Sequence, residues 1–553
     1  MTLSYDNLKI LKTHLKYIQS KTEISDFWAV GWCVRDLLLG KTILPTDIDL
    51  TGSTHPDVVW KSLQWNDKEM SIFRTEKYGT MTIVPKWKVE NNKWKIQYEI
   101  TPFRTEWVYT DNRRPDEVQR SENLLDDAKR RDFTMNCLYY SFFEKENKTY
   151  ANKSKKNKKD KWFEYIEEDE VVVIWDHIII EKLQEWGAEY LFAELLDGCC
   201  ISDTLHCIVD PYNGIADMTD GILQTVGNPD DRFEEDALRI IRALRFLTVL
   251  NINNVSTVEF DIEKETRTSL KKNFYRIGSL PKERLKIELD KVAKKGSLFA
   301  FVSFCDELNI LKTLFPAVYA TKHLDQPVRY HPFDVYVHTI LCLYHLEQLT
   351  DNYLLKFAIL YHDVGKVDQY YAYSLWLPKS EINDIETLNH RNSSSGLMYT
   401  DLQNLGFSNK ELKQISWYVN HHHRPYEITT AKGKNQKKKV RELYTEVWHE
   451  WVRNLFVIAR ADVLWQYNPI QTKKSLTELD RLEVILDVLI QEEGRFTQSQ
   501  LAVSWAWVME KYWLLAGPKI WKILKKVFKW VSDDIKVRNN ENEIGVFLKG
   551  EKM

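Results

Sequence analysis

Residues 28–50 read WAVGWCVRDLLLGKTILPTDIDL, and the rest of the chain is organised around them. The end of this stretch, Thr46 to Leu50, alternates as a strand does, so Asp47 and Asp49 point to the same face. Two like charges on one face repel unless a cation lies between them. Hard carboxylate oxygens suit Mg²⁺, which takes one or two carboxylates and completes its shell with substrate phosphates. Upstream, Val30-Gly31 ends a strand and Cys33 to Gly40 opens a helix. A small turn before a helix N-terminus can hold phosphate, and Arg35 adds positive charge there.

Composition bounds the rest. At 553 residues, 44% hydrophobic and 28% charged, the chain reads as a multidomain globular protein. No run of 18 apolar residues predicts a membrane span, and the polar amphipathic N-terminus is not a signal peptide. Seven cysteines without a Cys-x-x-Cys spacing fit a reducing cytosol, hence a cytoplasmic protein. A net charge of −3 argues against wholesale nucleic-acid coating but allows local basic patches.

The Gly-Trp-x-Val-Arg-Asp-x-Leu-Leu-Gly…Asp-x-Asp pattern resembles the head of class II nucleotidyltransferases, the tRNA CCA-adding enzymes and bacterial poly(A) polymerases. Trp32 stands where that family has its second glycine. The resemblance implies an α+β fold: a polymerase-β-like α/β head followed by an all-helical neck, body and further domain. The expected order is a head at 1–140, an insertion with a Lys-rich loop at 141–209, a neck and body at 210–325, another domain at 326–470 and a basic helical tail at 471–553.

Within the head, strands are predicted at 27–31, 46–50, 80–85 and 96–101. Enzymes of this superfamily need a third carboxylate beside the aspartate pair, and Glu99 is the candidate. Residues 102–120 read as a polar loop, with Tyr109, Asp111, Arg113 and Pro115 fitting a mobile family loop. Asp127 to Asn136, with Arg130-Arg131 before a Phe-Thr-x-Asn turn, suits a triphosphate clamp because guanidinium matches phosphate in a bidentate way. Gly31, Trp32, Arg35 and Arg131 are thus the nucleotide-binding candidates. Asn152 to Lys161 is lysine-rich, and a helix is possible at 179–197.

Glu235-Asp236-x-x-Arg239 reads as the start of a helix that places Asp236 and Arg239 on one face. The bland reading of that pair is an i,i+3 salt bridge. In the family it selects C and A, with an acceptor beside a donor fork imitating a base edge. Arg242 and Arg245 continue the stripe toward phosphates.

Nine of the fourteen histidines lie between 323 and 423. His338, the His362-Asp363 doublet and Asp462 resemble the HD metal-dependent phosphohydrolase domain. Under that resemblance these four are ligands of a divalent metal of the Mg, Mn or Ni class. His390 and one of His421 to His423 are candidates for a second metal or phosphate. The HD domain favours CCA addition over poly(A) synthesis, since it is appended to many bacterial CCA-adding enzymes. The reading is therefore CCA addition to the tRNA 3′ end from CTP and ATP, with Mg²⁺ at the head. No protein partner is inferred. The rivals are a poly(A), A-only or CC-only enzyme, and an HD phosphohydrolase with a degenerate RNA-binding head.

The chain holds 20 tryptophans and only 19 glycines, about half the usual glycine share. Trp32, Trp107 and Trp465 all stand where the family pattern has glycine. Some bacterial lineages read UGA as glycine, so these positions are read as UGA glycine codons translated as tryptophan; the alternative is a genuinely tryptophan-rich protein from a low-GC genome.

Overall fold

The computed structural model describes residues 8–22, 24, 27–40, 47–63, 70–75, 80–86, 96–107, 117–121, 123–144, 163–166, 171–174, 204–252, 258–324, 333–368, 390–431, 434–465, 468–493, 500–512, 517–532 and 535–550. The chain divides into two compact units, Met1–Glu288 and Leu289–Met553.

The first unit is built on a nine-stranded sheet. Its strands are β1 (Trp28–Val30), β2 (Asp47–Gly52), β3 (Met70–Thr75), β4 (Thr80–Pro85) and β5 (Gln97–Pro102), with β8 (Tyr139–Glu144), β9 (Phe163–Ile166), β10 (Val171–Ile174) and β11 (Thr204–Val209). The order is β3-β4-β5-β2-β1-β8-β11-β10-β9. β2 and β5 run parallel, as do β10 and β11, and the other neighbours are antiparallel. The predicted strands at 27–31, 46–50, 80–85 and 96–101 are all present.

Alternation decides what faces inward. In β2, Ile48 and Leu50 are buried while Asp47 is exposed, and in β5 Tyr98 and Ile100 are buried. The helix Leu8–Thr22 buries Leu8, Leu11, Leu15 and Ile18 on one stripe. Its His14 reaches β5, with Nδ1 2.8 Å from the Tyr98 hydroxyl.

Two expectations change here. Part of the polar stretch at 102–120 pairs as a two-stranded ribbon, β6 (Arg104–Trp107) with β7 (Glu117–Arg120). Polar residues suffice because the backbone ladder satisfies itself. Tyr109, Asp111, Arg113 and Pro115 lie outside the described residues. The stretch read as an insertion supplies β9, β10 and β11 to the head sheet, so main-chain pairing ties it to β8. The lysine run and the 179–197 helix lie outside the described residues.

The second unit is helical. Val335–Leu349 packs on Tyr353–Tyr361 and His449–Leu464, and Tyr353–Tyr361 also packs on Asn409–His421. Asn409–His421 begins at a capping box, with Ser408 and Glu411 satisfying each other's backbone N–H. Near the end of the chain, Pro518–Ser532 buries Ile520, Ile523, Leu524, Val527 and Val531 and exposes Lys519, Lys522, Lys525, Lys526 and Lys529. No helix among the described residues is long and apolar enough to cross a membrane.

Candidate active sites

The head site forms at the edge between β2 and β5. Their parallel register sets Asp47 beside Gln97 and Asp49 beside Glu99, so Asp49 and Glu99 are neighbours across two strands. Gln97 donates its side-chain amide to Glu99 at 3.2 Å, which orients that carboxylate. Burial first, then the charges of Glu99 and Asp47, push the Asp49 carboxyl up to about 6, against the pull of Arg131. Asp49, crowded by two further carboxylates, belongs to a cluster that a divalent cation would relieve. An all-oxygen donor set fits Mg²⁺.

Gly31 adopts φ +77° between β1 and the helix Trp32–Leu38, a conformation only glycine takes at little cost. A Cβ there would lie 3.5 Å from a terminal nitrogen of Arg131. Trp32 heads the helix and is half-buried. Arg35 is buried, donating to Asn136 Oδ1 at 2.7 Å and to Asp36, so its charge sits beneath the turn.

Sequence reading missed what holds the arginines. Asp127 is fully buried and accepts from Arg130 and from Arg131 Nη2 at 2.8 Å, while the Tyr139 hydroxyl donates to it at 2.9 Å. Burial alone would raise its carboxyl, but Arg130 and Arg131 bring it down to about 2. Asp132 does the same for Arg242, accepting from Nε at 2.8 Å, and Asn136 donates to its other oxygen at 3.1 Å. Despite burial, Arg242 and Asn136 lower Asp132 to about 2. The Asp127–Arg131 spacing of four was the only sequence signal for this support.

The Asp236–Arg239 pair is placed differently from expectation. One helix ends at Glu235 and the next begins at Leu238, leaving Asp236 extended at φ −148°, ψ 101°. Its Oδ1 accepts from Leu238 N at 3.0 Å, the capping habit of aspartate that breaks a continuous helix. Asp236 pairs with Arg284, at 3.2 and 2.6 Å to the two terminal nitrogens. Arg239 pairs with Glu235 at 2.6 Å and donates to the carbonyls of Arg232 and Arg130. The i,i+3 salt bridge is therefore not formed. Arg245 is buried against Glu288, with its guanidinium 3.9 Å from the Phe246 ring centre.

In the second unit, His338, His362, Asp363 and Asp462 converge. His338 Nε2 lies 3.1 Å from His362 Nε2, 3.3 Å from Asp363 and 3.4 Å from Asp462. His362 Nδ1 donates to the Ile359 carbonyl at 2.6 Å. That bond fixes the tautomer and aims Nε2 inward, the arrangement metal-ligating histidines use. Two imidazole nitrogens and two carboxylates so close fit a divalent cation. His422 approaches Asp363 at 3.6 Å, with Nδ1 on the Val419 carbonyl, and His423 joins them. His421 is held apart by the Trp417 carbonyl at 2.7 Å. His390 heads the helix His390–Asn404. Trp465 packs edge-on to His338 at 4.6 Å, and its indole N–H approaches Asp462 at 3.4 Å.

Three family models match the chain: the poly A polymerase head domain at 27–157, a probable RNA- and SrmB-binding site of polymerase A at 259–321, and the HD domain at 335–464. A CCA-adding enzyme of Staphylococcus saprophyticus is 31% identical over 279 residues, 50% of this chain and 49% of that protein. The chain thus spans about half the length of that relative. A CCA-adding enzyme of Staphylococcus epidermidis is 26% identical over 411 residues, 71% of this chain and 80% of that protein. The fold is similar to that of the Bacillus stearothermophilus CCA-adding enzyme solved with CTP, at a TM-score of 0.59 and 19% identity, covering 97% of this chain and 96% of that one. With the head carboxylates on adjacent strands and a His-Asp cluster in the helical unit, the chain belongs to the class II CCA-adding enzyme and poly(A) polymerase family and carries an HD domain.

Proposed function

We propose that the chain adds C, C and A to the 3′ end of tRNA from CTP and ATP, releasing pyrophosphate. The observation that carries this reading is the register placing Asp49 beside Glu99, with Asp47 on the same strand. Asp47 and Asp49 would hold Mg²⁺, which neutralises charge developing on the attacking 3′-hydroxyl and the leaving pyrophosphate. Glu99 would complete the carboxylate cluster beside Asp49. The Gly31 turn and Arg131 take the triphosphate, with Asp127 fixing the guanidinium. Asp236 supplies an acceptor and Arg239 a donor fork to the base edge. Phosphoryl transfer asks mainly for this positioning and electrostatics.

The test is incubation with a tRNA lacking its CCA end and each nucleotide separately. CTP alone should add two residues, and ATP should add one only after them. Addition of A alone, of C alone, or of a long A tail would assign the partial or poly(A) activity instead.

A second reading is favoured by the His338–His362–Asp363–Asp462 cluster. The HD unit would remove phosphate from 2′,3′-cyclic or 2′-phosphate ends with a divalent metal. That activity could accompany nucleotide addition, or replace it where Trp32 blocks the phosphate turn.

A further inference from the structure

We propose that Cys342 is a thiolate ligand of the HD metal, so that the site takes a thiophilic ion of the Zn²⁺ or Co²⁺ class in preference to Mg²⁺. The inference rests on the reading that the His-Asp cluster holds a metal. Cys342 lies four residues after His338 on the helix Val335–Leu349, a spacing that puts both on one helical face. His338, Cys342, His362 and Asp462 each offer an atom within 4.8 Å of the others.

The sulfur has polar neighbours. It is 3.6 Å from Asp462 Oδ1 and 3.8 Å from His338 Nε2. Zn–S bonds of about 2.3 Å and Zn–N bonds of about 2.0 Å, opened to tetrahedral angles, put sulfur roughly 3.5 Å from its fellow ligands. His338 Nε2 to Asp462 Oδ1 is 3.4 Å and His338 Nε2 to His362 Nε2 is 3.1 Å, the edges expected between nitrogen and oxygen ligands of the same tetrahedron. Asp462 is oriented for this role, because the Tyr426 hydroxyl donates to its other oxygen at 2.9 Å.

The chemistry of the donor set decides the ion. Mg²⁺ asks for six oxygens near octahedral geometry and keeps several waters. Two imidazoles and a thiolate, with the Asp462 carboxylate and Asp363 beside them, favour zinc-like ions over Mg²⁺. His338, His362 and Cys342 are all buried, which leaves little room for a hydrated ion. A cysteine that merely fills the core is inert and surrounded by carbon; this one faces a carboxylate and an imidazole.

The test uses the full chain, stripped with a chelator and loaded with Co²⁺. A sulfur-to-cobalt charge-transfer band should appear in the near ultraviolet, vanish in Cys342→Ser and Cys342→Ala, and persist in Cys33→Ser. Zn²⁺ affinity at the HD site should fall at least by the roughly 10–100-fold that loss of a supporting partner already costs. X-ray absorption of the zinc-loaded wild type should show one sulfur at about 2.3 Å, a result that needs no variant to fold. Metal bound with nitrogen and oxygen neighbours alone would overturn the thiolate role and leave the metal reading standing. Failure of His338, His362 and Asp462 to bind either ion would overturn both.

Discussion

Arg284 grips Asp236 through both terminal nitrogens, at 3.2 and 2.6 Å, across 48 residues of sequence. Under the proposed base-reading role this acceptor is occupied, and Arg284 would release or share it when a nucleotide arrives. Asp236→Ala or Arg239→Ala should blur discrimination among the four bases more than it slows addition. A good bidentate contact to a base edge is worth about 1–3 kcal/mol, roughly 5–150-fold in selectivity. Arg284→Met should alter KM for CTP and ATP while retaining selectivity above that of Asp236→Ala. Single-nucleotide incorporation ratios check this, and an unchanged preference in Asp236→Ala would reduce that residue to a cap.

Asp47→Ala or Asp49→Ala should abolish nucleotide addition and leave the fold intact. Neither side chain fills the core, and removing one of several like charges relieves repulsion. Radiolabelled incorporation and thermal melting in metal-free buffer test the two halves separately. Near-normal turnover in either variant contradicts the catalytic assignment.

His362→Ala should eliminate phosphate release from 2′,3′-cyclic or 2′-phosphate ends and spare CCA addition. Each compact unit carries its own cluster. Both activities assayed on one folded preparation decide it, and joint loss would show that the sites are not separable.

His14 should make folding pH-dependent. Burial lowers it from 6.5 to about 4, so the unfolded chain binds its proton first as pH falls. The stabilising contribution is full above about 6.5 and is lost as pH drops toward 4, at most about 3 kcal/mol. His14→Gln, which can still bond the Tyr98 hydroxyl, should flatten that dependence. Urea unfolding of both proteins at pH 7 and 4.5 measures it.

Trp32 sits half-buried directly after Gly31, and under the proposed nucleotide site its indole would crowd the space a triphosphate needs. We propose that residues 32, 107 and 465 are glycine in the native protein. Peptide masses from the native source should show glycine at all three, and Trp32→Gly should tighten nucleotide binding. UGG codons at all three positions would sink the idea. The side chain of Trp107 lies outside the described residues.

What the order of residues dictates is local. Alternation in Asp47-Ile48-Asp49-Leu50 makes a strand with two carboxylates on one side, and the apolar stripe from Leu8 to Ile18 makes a helix. Motif order placed the head before the helical regions. Only the tertiary structure could decide the partners. Asp49 meets Glu99 because β2 and β5 pair in parallel register, and strand register is set by packing across the sheet. Asp236 breaks a helix that periodicity would continue, because its side chain satisfies Leu238 N, and its partner Arg284 is remote. Arg131 owes its aim to Asp127 and Tyr139. Cys342 carried no signal in the sequence; folding brings Asp462 beside it. Periodicity reports which face a residue occupies; which charges share that face depends on contacts between distant segments, and those form only when the core closes.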